Sequence, residues 1–156
     1  MSAPLKIVSG GQTGADIAAL DWAISRGLPH GGWCPRGRKA ENGVIPAKYH
    51  LQETESEDYA ERTEKNVVDS DGTVIFTIRD LLEGGSRYTW ECAMRHNKPV
   101  LHLHSGVKQP GRLLADFIRE HGIRTLNVAG PRASAEPAVG SFVWATLEEA
   151  WTCCCR

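Results

Sequence analysis

Residues 6–14 have the sequence KIVSGGQTG, and this stretch decides the fold of the chain. Its β-branched start predicts a short strand, and its glycines predict a tight turn. After the turn, Ile17, Leu20 and Ile24 recur at helical spacing, so a helix should follow and end near Gly27. The predicted unit is therefore a strand, a glycine loop and a helix.

The same unit recurs along the chain. Residues 73–78 form the clearest strand, and further strands are predicted at 99–103 and 125–129. Helices are predicted at 57–68, 89–96, 112–121 and 146–151. This alternation indicates an α/β fold: a Rossmann-like, doubly wound, mostly parallel sheet flanked by helices in a single domain. Residues 31–49 form a long connection with only a short strand near Trp33, and a functional role is favoured for it.

The composition is typical of a globular protein without general affinity for polyanions. The 156 residues are 41% hydrophobic and 24% charged, with a formal net charge of -1. We expect a ligand-binding domain at residues 1–152 and a tail at 153–156. Because no apolar run approaches the roughly 20 residues that cross a bilayer, and no signal peptide is evident, we expect a cytoplasmic protein with reduced cysteines. No nucleic-acid or membrane partner is expected, and no metal site is predicted because His102 and His104 lack a third ligand.

Three predicted strands are followed directly by loops that contain glycine. Because the carboxyl ends of parallel strands share one edge of a sheet, these loops should converge where α/β sheets bind ligands. Helix N-termini beside such loops offer unpaired N–H groups, so we predict a phosphorylated small ligand there. The first loop matches neither GxxxxGK(S/T) nor GxGxxG, which removes support for an ordinary ATPase or NAD dehydrogenase. The loop residues predicted to bind the ligand are Gly10, Gly11, Gln12, Thr13, Gly14, Gly84, Gly85, Ser86 and Ser134.

Several charged side chains allow two interpretations. Arg36, Arg38 and Arg132 form either a basic rim that neutralises phosphate or ordinary surface charge. Asp16, in the first turn of the first helix, either repels a nearby phosphate or complements the helix dipole. In the functional interpretation, loop amides and guanidinium groups together create an electropositive cup.

Several short, different motifs are distributed over nearly the whole chain. They are SGGQTGAD at residues 9–16, GGWCPRGR at 31–38, GGSRYT at 84–89 and GPR at 130–132, with Ile45-Pro46, Tyr59, Arg62-Thr63 and Asn66-Val67. Together these motifs resemble the putative molybdenum carrier family. The resemblance implies a Rossmann-like protein that binds molybdenum cofactor (molybdopterin), a phosphorylated pterin, for storage or delivery. It also implies a homodimer or homotetramer, with molybdoenzymes as partners.

The resemblance extends to nucleotide-binding proteins of LOG type, which include phosphoribohydrolases. Those enzymes carry an arginine before a central strand and the motif PGGxGTxxE, and by resemblance Arg62 and Glu91 occupy the catalytic positions. The motif is altered at Glu83, Arg87 and Tyr88, which replace its proline, third glycine and threonine. These changes favour binding over hydrolysis. Arg87 with Thr89 would form an anion clamp, or Arg87 would instead pair with Glu83 or Glu91. We expect a carrier, with a nucleoside-monophosphate phosphoribohydrolase and a nucleotide-binding sensor as alternatives.

Overall fold

The computed structural model describes residues 5–154, which have the expected α/β architecture. The strands are β1 (Lys6–Val8), β2 (His30–Gly31), β3 (Trp33–Cys34), β4 (Lys39–Ala40), β5 (Gly43–Val44), β6 (Gln52–Glu53), β7 (Gly72–Thr77), β8 (Val100–His104) and β9 (Thr125–Ala129). The helices are α1 (Ala15–Ser25), α2 (Tyr59–Val68), α3 (Gly84–Arg95), α4 (Pro110–Glu120) and α5 (Val139–Cys154). Within the described residues, every helix is too short or too polar to span a bilayer.

The central sheet has five parallel strands in the order β2-β1-β9-β7-β8. The last strand of the chain therefore lies in the middle of the sheet. Counted from β9 as the first strand, the order becomes 3-2-1-4-5, the order of the dinucleotide-binding doubly wound sheet. The chain reverses its direction of winding between β9 and β7, and ligands bind at such a topological switch point.

Two helical layers flank the sheet. Helix α5 packs against both α1 and α4, and α2 packs against α3. The larger core lies under the first group and includes the fully buried side chains of Trp22, Phe76, Leu114 and Leu147. Burial of side chains of this size contributes roughly 1.5–3 kcal/mol each to stability. All six residues of β7 are buried, as expected of a parallel strand covered on both faces.

Residues 30–54, which we call the edge lobe, are more ordered than the predicted irregular connection. The predicted strand near Trp33 is present as β3, which pairs with β6, and β4 pairs with β5 in a hairpin. Leu20, Cys34 and Ile45 belong to the small core beneath them. The guanidinium of Arg38 donates hydrogen bonds of 2.8–3.4 Å to the carbonyl oxygens of Ile45, Pro46, Tyr49 and Leu51. The lobe therefore has its own core and its own polar anchor.

Two helices begin at least five residues earlier than the sequence pattern predicted, and α4 begins two residues earlier, at Pro110. Helix α3 starts at Gly84, so the predicted second glycine loop is the first turn of this helix. Helix α5 starts at Val139 and continues to Cys154, past the start of the predicted tail, while residues 155–156 lie outside the described part of the chain. Both helices contain glycine in their first turns, and the low helix propensity of glycine hid these starts.

Candidate ligand-binding cavity

A cavity of about 470 Å³ opens at the carboxyl edge of the sheet, beside the switch point between β9 and β7. The β1–α1 loop, the ends of β7 and β9, the start of α3 and one face of α2 form its walls. Gly10, Gly85 and Arg132 all line it, so the three predicted loops converge here. Small-molecule and cofactor sites have volumes of about 300–1,000 Å³, and this cavity lies within that range.

The start of α3 forms an open wall of the cavity. Its N-cap residue, Glu83, makes no side-chain capping hydrogen bond. A Cβ atom added to Gly84 or Gly85 would meet no atom within 4 Å, so the main chain here borders free space. Ser86, which is only 7% exposed, adds a hydroxyl-bearing side chain to this wall. Unpaired N–H groups and the positive end of the helix dipole make this turn suitable for an anion.

Arg62 lines the cavity from α2 and contacts the first glycine loop. Its Nη1 donates to the Gly10 carbonyl oxygen at 2.9 Å and lies 3.8 Å from Oδ2 of Asp16. A Cβ at Gly10 would stand 2.2 Å from the same Nη1, so only glycine leaves room for this guanidinium. The Tyr59 ring lies 5.0 Å from the Arg62 guanidinium carbon. Arg62 is thus held in place by backbone, carboxylate and aromatic contacts.

Asp16 is a buried carboxylic acid at the cavity wall. Burial raises its pKa to about 6, although Arg62 and the Gln12 N–H each favour the charged form. The Gln12 N–H donates to Oδ2 of Asp16 at 3.1 Å. The carboxylate therefore organises the first glycine loop and offsets the charge of Arg62. Asp16 lies in the first turn of α1, which is compatible with the helix-dipole interpretation, and its contacts with the loop and with Arg62 are additional to the two predicted roles.

Acidic side chains offset most of the positive charge, so the cavity is not the electropositive cup expected from the sequence. Nη2 of Arg79 lies 2.6 Å from Oε1 of Glu83, and its Nε lies 3.9 Å from Oε2 of Glu136. Glu136 also accepts the N–H groups of Ile78 and Arg79, at 2.9 and 3.1 Å. Arg132 is exposed and makes no salt bridge to any described residue. Its charge is close enough to Glu41 to help lower the pKa of that carboxylate, although the two side chains form no salt bridge.

The predicted site residues divide into two groups of equal size. Those that line the cavity are Gly10, Gln12, Arg62, Gly84, Gly85, Ser86, Thr89 and Arg132. Those that do not line it are Gly11, Thr13, Gly14, Arg36, Arg38, Arg87, Glu91 and Ser134. None of residues 30–54 lines it either, so the edge lobe contributes nothing directly to the cavity wall.

The glycines of the second group have packing roles. Gly11 has a φ of 77°, and a Cβ there would lie 2.7 Å from Cδ1 of Leu51. Gly14 has a φ of 84°, and a Cβ there would lie 2.5 Å from the Pro131 carbonyl oxygen. A side chain at either position would be strained in its backbone and would clash. These glycines therefore allow the loop to pack closely against neighbouring segments of the chain, and they do not border the ligand cavity.

The charged members of the second group are held elsewhere or face solvent. Arg38 donates to carbonyl oxygens of the edge lobe, so its guanidinium is not available to a phosphate. Arg36 is exposed in the edge lobe. Arg87 and Glu91 are exposed on α3 and do not line the cavity that Arg62 lines.

Thr13 and Ser134 contact a carboxylate of the protein itself, that of Glu41. Both hydroxyls donate to the carboxylate of Glu41, which lies in the β4–β5 hairpin. Binding of a ligand phosphate by these two hydroxyls, as the sequence suggested, would require displacement of Glu41.

Sequence reasoning missed several polar residues of the cavity wall. Thr77 and Asn127 lie within apolar strands, and the Asn127 amide donates to Oγ1 of Thr73 at 3.2 Å. Asn127 is only 3% exposed. A polar side chain in a strand that is otherwise buried costs free energy, and this was the signal that could have identified both residues.

The chain is similar to known proteins in both sequence and structure. Residues 7–151 match the family described as the Circularly permutated YpsA SLOG family. The chain belongs to this family. It is also similar to the crystal structure of the Putative molybdenum carrier protein from Syntrophus aciditrophicus SB, with 46% sequence identity, a TM-score of 0.91 and 95% of each chain covered. No curated protein matched the sequence. The resemblance inferred from the motifs is thereby confirmed.

The permutation that gives the YpsA SLOG family its description agrees with the observed strand order. If the β9–α5 unit preceded β1, the strands would follow the order 3-2-1-4-5. The loop after β9, with Gly130-Pro131-Arg132, therefore stands where the first βα loop of a dinucleotide-binding sheet stands. That loop borders the cavity, which explains why residues near the end of the chain join residues near its beginning.

Proposed function

We propose that this chain binds a phosphorylated small ligand in the cavity at the switch point, and that the ligand is molybdenum cofactor, held for storage or delivery. The observation that carries the proposal is the open first turn of α3, where Gly84 and Gly85 border free space inside a cavity of about 470 Å³. The similarity to a protein named as a molybdenum carrier supports the carrier role.

The phosphate group would lie at the start of α3. The N–H groups of the first turn and the Ser86 hydroxyl would donate to its oxygens, and the positive end of the helix would favour its charge. Arg132 would supply the balancing cation from the opposite loop. A charge-assisted hydrogen bond contributes about 1.5–3 kcal/mol, so these donors suffice for specific recognition of one phosphate.

The rest of the ligand would occupy the space between α2 and the ends of β7 and β9. Thr77, Thr89 and Asn127 provide polar atoms on that side, and Tyr88 provides an aromatic ring. The exposed position of Glu91 favours binding over the hydrolytic alternative, which needs this residue beside Arg62.

Native mass spectrometry of protein purified without oxygen tests the identity of the cargo. We expect a retained mass that corresponds to a phosphorylated pterin, with phosphorus and molybdenum found by elemental analysis of the same sample. A retained nucleotide would instead favour the sensor alternative. Protein that is empty when taken from cells that make the cofactor would contradict the carrier role.

A pair of matched pterins tests the phosphate requirement. The fluorescence of 6-hydroxymethylpterin and of its phosphate ester can be followed as protein is added. We expect the ester to bind at least about tenfold more tightly, the scale of one charge-assisted hydrogen bond. Equal affinities would refute phosphate recognition, and release of guanine from guanosine monophosphate would contradict a role restricted to carriage.

A further inference from the structure

Glu41 connects two walls of the cavity through one exposed carboxylate. It follows β4 (Lys39–Ala40) in the hairpin of the edge lobe. Its Oε1 accepts from the Ser134 hydroxyl at 2.5 Å, and its Oε2 accepts from the Ser134 N–H at 3.2 Å and from the Thr13 hydroxyl. Thr13 belongs to the β1–α1 loop and Ser134 to the β9–α5 loop. A single side chain therefore joins the two glycine loops.

The main chain of Glu41 adds a contact to the first loop. Its N–H donates to Oε1 of Gln12 at 2.8 Å, and the same oxygen accepts the Thr13 N–H at 3.0 Å. Gln12 is 6% exposed and lines the cavity. The two N–H donors fix the orientation of its carboxamide, because only the oxygen can accept them. The position of Gln12 in the cavity wall thus depends on the hairpin.

The second loop is held in the same way. The Thr13 hydroxyl that donates to Glu41 also accepts the Ala133 N–H at 3.1 Å. Arg132 immediately precedes these contacts and lines the cavity. The hydroxyls of Ser134 and Thr13 lower the pKa of Glu41, so its carboxylate stays charged at neutral pH.

These contacts are unlike those of an ordinary stabilising ion pair. Glu41 is exposed, and exposed charged contacts contribute little to stability. Yet the carboxylate has three hydrogen-bond donors from two loops that are more than 100 residues apart in sequence, counting from Thr13 to Ser134. A connection of this kind constrains geometry more than it stabilises the fold.

We propose that Glu41 is a positioning residue for the cavity: through Thr13 and Ser134 it fixes Gln12 and Arg132 in the places from which they contact the ligand. This inference rests on the proposed function, because Arg132 is the cation assigned there to the phosphate. Glu41 itself would not touch the ligand.

The variant Glu41→Gln tests the inference, because the amide retains the size of the side chain but cannot accept at both positions. We expect it to weaken binding of 6-hydroxymethylpterin phosphate by about tenfold, since one charge-assisted hydrogen-bond network is lost. Glu53→Gln is the matched control. Glu53 is also an exposed carboxylate of the edge lobe that accepts a main-chain N–H, from Gly37 at 2.7 Å, but it does not contact either glycine loop.

A double-mutant cycle with Arg132→Ala separates positioning from a general structural effect. If Glu41 acts through Arg132, Glu41→Gln should reduce the affinity for the pterin phosphate by less than about threefold in the Arg132→Ala background. The reason is that the effects of substitutions at coupled residues are not additive. Hydrogen exchange should also become faster at residues 10–14 and 130–136 in Glu41→Gln and stay unchanged in Glu53→Gln.

Several results would overturn the inference. Glu41→Gln would have a general structural effect if it reduced affinity equally in the wild-type and Arg132→Ala backgrounds. The same conclusion would follow if Glu53→Gln reduced affinity as much as Glu41→Gln. Tighter binding by Glu41→Gln would show that the carboxylate competes with the ligand for the two hydroxyls. Wild-type protein that does not bind the pterin phosphate would refute the proposed function. Unchanged hydrogen exchange at both loops in Glu41→Gln would refute only the positioning role of Glu41.

Discussion

Gly85→Asp should make the protein more stable and abolish ligand binding. Gly85 is the second residue of α3, its φ lies outside the left-handed region, and a Cβ there meets nothing within 4 Å. A side chain therefore fits without strain at a position that borders the cavity. Replacement of a helical glycine adds up to about 0.5 kcal/mol for aspartate, and a carboxylate in the first turn adds about 0.3–1 kcal/mol through the helix dipole. The same carboxylate would occupy the proposed phosphate position.

Gly85→Ala is the matched control, since it gains helix propensity without adding charge. Urea unfolding should show a stabilisation of about 0.5–1 kcal/mol for both variants. Fluorescence titration should show pterin phosphate binding reduced at least about 100-fold by aspartate and far less by alanine, because only aspartate introduces like-charge repulsion. Binding by Gly85→Asp at wild-type affinity would remove the α3 N-terminus from the site. Destabilisation by both variants would show that the space beside Gly85 is not free.

Three further predictions use other positions. Arg132→Ala should weaken pterin phosphate binding by about tenfold or more, whereas Arg87→Ala, outside the cavity, should leave it unchanged; equal effects in calorimetric titration would contradict this assignment. Gly11→Val should lower the free energy of unfolding by about 2 kcal/mol or more, because its φ is 77° and its Cβ would clash with Leu51; an unchanged urea midpoint would refute the packing role. Since the pKa of Asp16 is raised to about 6 from 3.8, the folded protein retains a proton that the unfolded chain loses between these pH values. The contribution of Asp16 to stability is therefore fully present below about pH 4 and is lost as pH rises through 6, by up to roughly 3 kcal/mol. Comparison of urea unfolding with Asp16→Asn across this range isolates the effect, and parallel pH profiles would exclude it.

Elements with a strong local pattern could be predicted from the sequence. Strand β9 has the predicted bounds, and β7 is shifted by one residue from the predicted run of β-branched and aromatic residues. The convergence of the loops also followed from a general property of parallel sheets, which needs no knowledge of the strand order. Predictions of this kind succeed because short-range hydrophobic patterning decides which segments form strands and helices.

The remaining features depend on contacts that are distant in sequence. Arg38 and Arg132 both follow a glycine-containing segment. Arg38 nevertheless anchors the edge lobe, whereas Arg132 borders the cavity. Their difference arises from which carbonyl oxygens lie nearby in the fold. Glu41 carries no local signal at all, because its partners are Thr13 and Ser134. Composition and spacing describe the available chemical groups but not their partners.

The circular permutation explains why the contacts of the first glycine loop differ from the ligand-binding role predicted for it. In the sheet, β1 is the second strand counted from β9, so KIVSGGQTG is not the first strand–loop unit of the dinucleotide-binding order. Its Gly11 and Gly14 serve close packing, and its Gly10 makes room for Arg62. The free space beside backbone amides lies instead at the start of α3, after the strand on the other side of the switch point. A phosphate should therefore select that turn, and the first loop should act on the ligand through the side chains that it positions.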